Sequence, residues 1–304
     1  MSPARRVGLG LAALTGLGAA VGAYAFAEAR MYTLRRATAR VLPPGSAPVS
    51  VLHLSDIHLL PGHHKKLDWI AGLADLKPDL VINTGDNISS ADAVAPLFEA
   101  LDELLDVPGA FVFGSNDYVA PTFKNPLGYL TRATLPGHEP ASPVFGNLPW
   151  TALRDGFTAR GWANLTHRRA LLQVAGHTIE LRGTDDGHLA RDRYDVVAGP
   201  PTPQADLSIG VTHAPYLRLL DAMTADGVDL VMAGHTHGGQ VCLPSRALIT
   251  NCDLDVDRVK GLSQHTAGGH TSALHVSAGL GTSPFAPYRL FCRPEATLLR
   301  LVAR

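Results

Sequence analysis

A β-α-β pattern begins with VSVLHLSDIH, residues 49–58, and this stretch decides the fold that the rest of the chain completes. Its apolar run is short and ends in polar residues, which is typical of a buried strand that stops at a turn. Helical spacing follows over residues 66–76, and DLVINTGDN at residues 79–87 repeats the first pattern. The segment therefore predicts two strands connected by a helix, the unit from which α/β folds are built.

The same strand pattern recurs further along the chain, with helical spacing again over residues 91–105. The later strand candidates are AFVFGSND (residues 110–117), LSIGVTHAP (207–215), DLVMAGHTHGG (229–239) and LHVSAGLGTS (274–283). Runs that are apolar on both faces indicate sheets covered on both sides. Because residues 169–183 and 295–303 alternate without intervening helices, we predict an α/β fold with mixed sheets.

The bulk composition is that of an ordinary globular protein. The chain has 304 residues, 46% of them apolar, which suits one domain with an appendage. A formal net charge of -1 gives no basic footprint for DNA or RNA, so we expect no nucleic-acid partner. The three cysteines are too few for a disulfide framework; they are structural, or Cys242 pairs with Cys252 in an oxidising compartment.

The N-terminal segment differs in character from the rest. Residues 7–27 carry no charge and follow Arg5 and Arg6, so the run is long enough for a transmembrane helix. A cleaved signal peptide is the alternative, since residues 25–27 read Ala-Phe-Ala and the arginine pair is similar to a twin-arginine start. We favour the uncleaved anchor, because the run exceeds the usual signal-peptide length of about 7 to 15 apolar residues.

These features predict a single-pass cell-membrane protein, or an exported protein if the signal is cleaved. Arginines on both flanks of the apolar run leave its orientation open. We assign residues 1–47 to the anchor or signal segment and a linker that ends around Pro43 to Gly45, and residues 48–304 to the soluble domain. The sequence leaves the oligomeric state open.

Metal-binding residue types follow five of the predicted strands, at the ends where ligands bind in open α/β folds. They are Asp56 and His58; Asp86 and Asn87; Ser115, Asn116 and Asp117; His213; and His235 and His237. One such histidine alone is explained by simple packing or by solvent exposure. Together, the residues at five strand ends favour one shared site.

The donor types indicate which metal the site binds. Asp, His and Asn together differ from the Cys-rich set of structural zinc and from the all-oxygen set of Ca²⁺ or Mg²⁺. They suit Mn, Fe or Zn, and we favour Mn. The candidates exceed what one tetrahedral ion needs, which indicates two ions sharing a carboxylate. Asp86 is the natural bridge after Gly85, and alternate residues at a strand end would allow His235 and His237 to serve one ion each.

The ordered motifs of the chain resemble those of the calcineurin-like metallophosphoesterases. The matching motifs are DIH (residues 56–58), GDN (85–87), GSND (114–117), TH (212–213), GHTHGGQ (234–240), GTDD (183–186), SAGLGTS (277–283) and RPEATLLRL (293–301). The likeness covers residues 48–303. It is closest to the membrane-anchored or exported bacterial branch, which includes phosphodiesterases and UDP-diacylglucosamine pyrophosphatase-like proteins.

The resemblance implies a four-layer αββα sandwich and a dinuclear centre. The first ion is then held by Asp56, His58, Asp86 and His237, and the second by Asp86, Asn116, His213 and His235. It also implies that a metal-bridging hydroxide attacks phosphorus, with Asp86, Asn116 and His213 taking part in catalysis. The expected substrate is a phosphodiester or pyrophosphate in a phosphorylated small molecule, with lipid-linked compounds and nucleotide sugars as examples.

The chain departs from the family at residues 114–117, where GSND stands in place of the usual Gly-Asn-His-Asp or Gly-Asn-His-Glu. We expect a local shift in which Asn116 is the metal ligand, because an amide carbonyl binds such ions better than the Ser115 hydroxyl. The histidine that helps the leaving group is then absent, which predicts leaving groups of low pKa. Another histidine in its place, such as His138 or His188, would contradict this.

The same departure leaves a second function open. A membrane-tethered protein that binds metal or phosphate for regulation, with impaired turnover, is the alternative to an enzyme. Among the remaining polar residues, His53 is expected to be packed or to support a ligand, and Asp117 and Asp186 to orient ligands. Arg289 either contacts phosphate or is structural, and the sequence assigns nothing to His275.

Overall fold

The computed structural model describes residues 3–122, 146–244 and 246–304, with the side chains of the N-terminal helix from Thr15 onwards. Most of the long loop between Tyr118 and Trp150, in which the sequence shows no periodicity, lies outside the described residues, and so does His138.

Most of the first strand candidates join one sheet. Its strands are β1 (Thr33–Leu42), β2 (Val49–Leu54), β3 (Leu80–Asn83), β4 (Gly109–Phe111), β5 (Ala163–Asn164) and β14 (Glu295–Ala303). The order across this sheet is β1-β14-β2-β3-β4-β5. All neighbours run parallel except β14 and β2, which are antiparallel, so the sheet is mixed.

A second sheet contains the later strand candidates. Its strands are β6 (Arg168–Val174), β7 (His177–Gly183), β8 (Leu207–Val211), β9 (Leu230–Ala233), β12 (Gly261–Ala267) and β13 (His270–Val276), in the order β12-β13-β9-β8-β7-β6. The hairpins β6-β7 and β12-β13 are antiparallel, and the central pairs are parallel. The strands β10 (Cys242–Leu243) and β11 (Arg246–Ala247) form a separate ribbon. The predicted α/β class with two mixed sheets is confirmed.

The helices are shorter than the sequence predicts. They are α1 (Pro3–Glu28), α2 (His64–Ala71), α3 (Val94–Leu101), α4 (Ser115–Tyr118), α5 (Trp150–Ala159) and α6 (Leu217–Ala225). The predicted helices at residues 66–76 and 91–105 end in, or begin from, tighter 3₁₀ turns at Gly72–Leu76, Ala91–Ala93 and Asp102–Asp106. Such turns are common at helix ends.

The apolar residues explain the layers. On β2, Val49 and Val51 pack with residues of the second sheet, such as Ile209, in one core cluster. The alternate side chains Leu52 and Leu54 pack on the other face of the first sheet, against α2, α3 and α5. Helix α6 packs on the outer face of the second sheet. The layers therefore follow one another as helices, sheet, sheet and helix, and the central strands are buried on both faces.

The N-terminal part contributes more to the domain than the sequence suggests. Strand β1 pairs in parallel with β14 from Thr33 onwards, so the sheet begins upstream of the predicted boundary at residue 48. Pro43 follows this strand and accepts a hydrogen bond from the Ser46 N–H in a turn. Upstream of β1, the run expected to cross a membrane lies within helix α1. Among the helices that the structure describes, none is both long enough and apolar enough to span a bilayer.

Candidate metal centre

The predicted ligands come from the carboxyl ends of strands in both sheets. Asp56 and His58 follow β2, Asp86 follows β3, His213 follows β8, Asn116 lies at the start of α4, and His235 and His237 follow β9. Backbone bonds hold the first two loops together, because the Asp56 N–H donates to the Gly85 carbonyl and the His58 N–H to the Asp86 carbonyl, both at 2.9 Å. The structure brings all of these residues to one place.

One group of donors contains Asp56, His58 and His237, whose ligand atoms all lie within 4.8 Å of one another. The two imidazoles face each other, with 3.3 Å between their Nε2 atoms. His237 Nε2 lies 3.8 Å from Asp56 Oδ1. A carboxylate and two imidazoles at these distances form a suitable cradle for a transition-metal ion.

A second group contains Asp56, Asp86 and His213, also within 4.8 Å of one another. His213 Nε2 lies 3.6 Å from Asp86 Oδ1, and His235 Nδ1 lies 3.3 Å from His213 Nε2. The other oxygen of Asp86, Oδ2, lies 3.4 Å from His58 Nε2 in the first group. The two oxygens of Asp86 thus face different donor groups, which is the arrangement that a bridging carboxylate needs.

The GSND turn places Asn116 against Asp86. The Asn116 backbone N–H donates to Asp86 Oδ1 at 2.7 Å, and its side-chain amide lies 2.8 Å from Asp86 Oδ2. Asp117 accepts hydrogen bonds from the backbone N–H groups of Asp86, Asn87 and Gly114. Asp117 therefore orients the turn that carries Asp86, as the sequence predicts. The contact of Asn116 with Asp86 supports Asn116 as the amide ligand, and that role stays a prediction.

Most of the candidate ligands have an unusual backbone conformation. Positive φ angles occur at Asp56 (48°), His58 (44°), Asp86 (56°), His235 (68°) and His237 (49°). Such a conformation costs about 1–3 kcal/mol per residue and persists where the surrounding structure imposes it. The expected alternation of His235 and His237 along a strand is wrong, because β9 already ends at Ala233. The left-handed backbone sends the two side chains to different donor groups.

Two glycines allow the loops to approach closely. A Cβ atom at Gly114 would lie 2.3 Å from Asp86 Oδ1, and one at Gly234 would lie 1.9 Å from Ser55 Oγ. Both distances are far below normal contact, so any side chain at either position would displace a residue of the centre.

The electrostatics of the site favour a bound cation. Burial lowers the pKa of His58 to about 4 and also lowers that of His237, so both imidazoles are neutral, as metal ligands must be. Burial raises the pKa of Asp56 to about 6. Burial also opposes ionisation of Asp86, but His213 and His58 hold its pKa below the usual range.

His213 shows most clearly that the residues present fit a metal. Although burial lowers its pKa, the carboxylates of Asp86 and Asp186 raise it to about 9. Its Nδ1 lies 2.7 Å from the Thr84 carbonyl oxygen, which can only accept, so Nδ1 carries a hydrogen and Nε2 faces Asp86. A second hydrogen on Nε2 would supply positive charge to the carboxylates, and a metal ion can replace it. The donor set therefore fits divalent metal ions.

A chain of buried side chains leads from the second sheet to Asp56. Ser55 Oγ lies 2.5 Å from Asp56 Oδ2, Thr84 Oγ1 lies 2.6 Å from Ser55 Oγ, and His53 Nε2 lies 3.0 Å from Thr84 Oγ1. His275 Nδ1 lies 2.9 Å from His53 Nδ1. Because the carboxylate accepts, each hydroxyl donates toward it and His53 must carry its hydrogen on Nε2. The expectation that His53 supports a ligand rather than binding metal agrees with this chain of contacts.

We expect Ser55→Ala to weaken metal binding in the first donor group about 10- to 100-fold, because ligands lose affinity when their hydrogen-bond partners are removed. Calorimetric titration of Mn²⁺ into metal-free protein measures this. Ser50→Ala is the matched control, since Ser50 lies on the same strand and its hydroxyl donates to Asp79, away from the centre. Unchanged Mn²⁺ affinity in Ser55→Ala would show that the chain of contacts does not support Asp56.

Two further expectations concern residues near the site. The Arg289 side chain is fully buried, and its guanidinium donates to the carbonyls of Ala278 (2.6 Å) and Gly281 (2.7 Å), so its structural role is the one observed. The expected alternative pairing of Cys242 with Cys252 is not found, since both are free thiols. Cys242 instead shares the Gly238 carbonyl as acceptor with Cys292.

The structure also brings in His188, which the sequence named only as an exception. Its ring centroid lies 4.5 Å from that of His235, and the side chain is half-buried beside the second donor group. A histidine in this position argues against the expectation of a site without one. The signal was present in the sequence, because Asp185, Asp186 and His188 follow β7 as the other site residues follow their strands.

Comparisons with known proteins agree with the geometry. A family model described as calcineurin-like phosphoesterase matches residues 49–239. The chain is 25% identical over 289 residues to the phosphodiesterase YaeI of Escherichia coli (strain K12), with 91% of both chains covered. It is 28% identical over 202 residues to the uncharacterized protein YpbG of Bacillus subtilis (strain 168), covering 65% of this chain and 64% of that protein.

A solved structure with a similar fold is the crystal structure of TT1561 of Thermus thermophilus, at 15% identity and a TM-score of 0.42. The match covers 77% of this chain and 91% of that one. The family model spans well over half of the chain and includes the residues of both donor groups. The chain therefore belongs to the calcineurin-like phosphoesterases and is a metal-dependent hydrolase of phosphoester bonds.

Proposed function

We propose that this chain hydrolyses phosphodiester bonds with two divalent transition-metal ions, of which manganese is favoured. One ion would be held by Asp56, His58, Asp86 and His237, and the other by Asp86, Asn116, His213 and His235. The observation that carries the proposal is that the Asp86 oxygens lie 3.4 and 3.6 Å from imidazoles of different donor groups. When bound, such ions polarise phosphoryl oxygens and lower the pKa of water.

The protein's own part is to hold the donors in place. The Thr84 carbonyl fixes the ring of His213, and the Asp117 carboxylate fixes the turn that carries Asp86. The side chains of Asp56, Asp86 and His213 are almost fully buried, which strengthens electrostatic interactions with a bound phosphoryl group. Rigid strand ends therefore support the site on both sides.

A phosphodiester is favoured over a pyrophosphate as the substrate class. The pyrophosphate expectation depended on a site without a histidine for the leaving group, and His188 lies against His235. The relative YaeI, with 91% of both chains covered, is named a phosphodiesterase. A lipid-linked or nucleotide-sugar substrate stays a prediction from the sequence.

The alternative of a regulatory binding protein has less support. A protein that had lost turnover would be free to lose ligands, yet every predicted ligand lies at the same centre.

The test is an assay of the full chain with Mn²⁺ against bis(p-nitrophenyl) phosphate, p-nitrophenyl phosphate and a nucleoside diphosphate sugar. We expect turnover of the diester, with slower turnover of the monoester, and no turnover after chelation. A preference for the monoester would contradict the proposed substrate class. Metal binding without turnover of any of the three would favour the regulatory alternative.

A further inference from the structure

His188 lies at the edge of the centre, on a loop that the assigned ligand set does not include. The loop follows β7, and the His188 ring lies 4.5 Å from the ring of His235, tilted by 43°. The side chain is half-buried, whereas His213 and His235 are buried. His188 is therefore placed between the second donor group and the surface, on the path by which a substrate reaches the centre.

Several contacts hold the loop of His188. The His188 N–H donates to Asp186 Oδ1 at 2.8 Å. Asp185 accepts from the Tyr118 hydroxyl and from Arg191 Nε, both at 2.7 Å. The Gly187 carbonyl accepts from Arg218, also at 2.7 Å. Contacts of this kind fix the backbone on both sides of His188, as a residue that acts on a substrate requires.

A single contact also orients the ring. His188 Nδ1 lies 3.0 Å from the hydroxyl of Tyr216, which is only 7% exposed. Burial raises the pKa of Tyr216, so the hydroxyl keeps its hydrogen. When this hydroxyl donates to Nδ1, the ring hydrogen of His188 is on Nε2, and Nε2–H is the group available to donate.

We propose that His188 donates a hydrogen bond from Nε2 to the leaving-group oxygen of a phosphodiester, and that this permits alcohols as leaving groups. The inference rests on the proposed function and narrows its substrate class to alkyl phosphodiesters. The GSND turn supplies no imidazole for this purpose, and His188 supplies one from a different loop.

The chemical step explains why a donor matters. The oxygen of water forms a new bond to phosphorus while the bond from phosphorus to the leaving oxygen breaks. The leaving oxygen takes the electron pair, and the proton given up by water ends on the alcohol by exchange with solvent. A donor aimed at developing negative charge typically contributes about 10²–10³-fold in kcat. An alkoxide develops more charge than an aryl oxide, so its departure depends more strongly on the donor.

The experiment compares His188→Leu and His188→Gln in the full chain with Mn²⁺. The substrates are glycerophosphocholine, in which both leaving groups are alcohols, and bis(p-nitrophenyl) phosphate. We expect His188→Leu to lose about 10²–10³-fold in kcat on the alkyl ester and about tenfold or less on the aryl ester. His188→Gln, which keeps a donor near the position of Nε2, should recover part of the loss. Bound Mn²⁺ per chain should not change.

His64→Leu is the matched control, because His64 is an exposed histidine on α2. Its rates on both esters should equal those of the wild type. Equal losses on both esters in His188→Leu would overturn the proposal, and so would loss of Mn²⁺, since His188 would then act by orienting His235. Wild-type protein that cleaves only the aryl ester overturns this inference but not the proposed function. Wild-type protein inactive on both esters overturns both.

Discussion

Asp86→Ala is expected to remove most bound metal and to lower kcat on a phosphodiester by about 10³-fold or more, because metal ions contribute several kcal/mol to such reactions. The reason is the position of Asp86. Its two oxygens lie 3.4 Å from His58 Nε2 and 3.6 Å from His213 Nε2, so one substitution disturbs both donor groups. Metal content per chain and kcat at saturating Mn²⁺ are the measurements.

Two further variants make the Asp86 result specific. Asp86 has a φ of 56°, which alanine adopts with strain and asparagine adopts more readily, so Asp86→Asn separates folding from metal binding. Asp92→Ala removes an exposed carboxylate just before α3 and should leave both metal content and kcat unchanged. If folded Asp86→Asn bound two ions and kept wild-type kcat, Asp86 would not bridge them.

Much of the centre could be predicted because its residues follow a local rule. The runs that end in Asp56, Asp86 and His213 show their apolar pattern in the sequence, and parallel strands deliver the residues after them to one edge. The pairing of two sheets at that edge was not needed for the prediction. The type of each residue and its place after a strand were sufficient.

Other features depend on contacts between distant parts of the chain. The bond between His53 and His275 joins the two sheets across 222 residues, and nothing near either residue indicates it. Strand β1 pairs with β14 at the other end of the chain, which the apolar segment before it concealed. The positive φ angles of Asp56 and His237 arise because closely packed loops impose them, so local preference could not reveal them.

His188 is a different case, because the sequence contained the signal. The residues Asp185, Asp186 and His188 follow β7 in the same way that His213 follows β8. The hairpin β6-β7 was predicted, but its end was not compared with the ends of the other strands. Applying the rule to every predicted strand would have included His188 among the candidates.

Removing metal with a chelator is expected to abolish phosphodiesterase activity and to lower the thermal unfolding midpoint. A ligand present at a hundredfold excess over its Kd stabilises a protein by about 2.7 kcal/mol, so each site can contribute on this scale. The metal-free protein keeps Asp56 and Asp86 buried close together, and their repulsion adds to the cost of the positive φ angles. Thermal scans with and without Mn²⁺ measure the difference, and restored Mn²⁺ should restore the activity.

The gain in stability on adding Mn²⁺ should also grow as the pH rises from 5 to 9. In the metal-free protein, the pKa values of Asp56 (about 6) and His213 (about 9) lie above their usual values. Their protonated forms therefore stabilise the fold at low pH, and this contribution is lost as the pH rises through those values. Metal binding requires the deprotonated forms, so each displaced proton opposes it by about 1.4 kcal/mol per pH unit below the relevant pKa. In Asp86→Asn, the Mn²⁺-dependent shift should be small at every pH. A shift that is equal at pH 5 and pH 9 in the wild type would mean that Mn²⁺ binds without displacing protons from Asp56 or His213, and the assignment of these residues as ligands would fail.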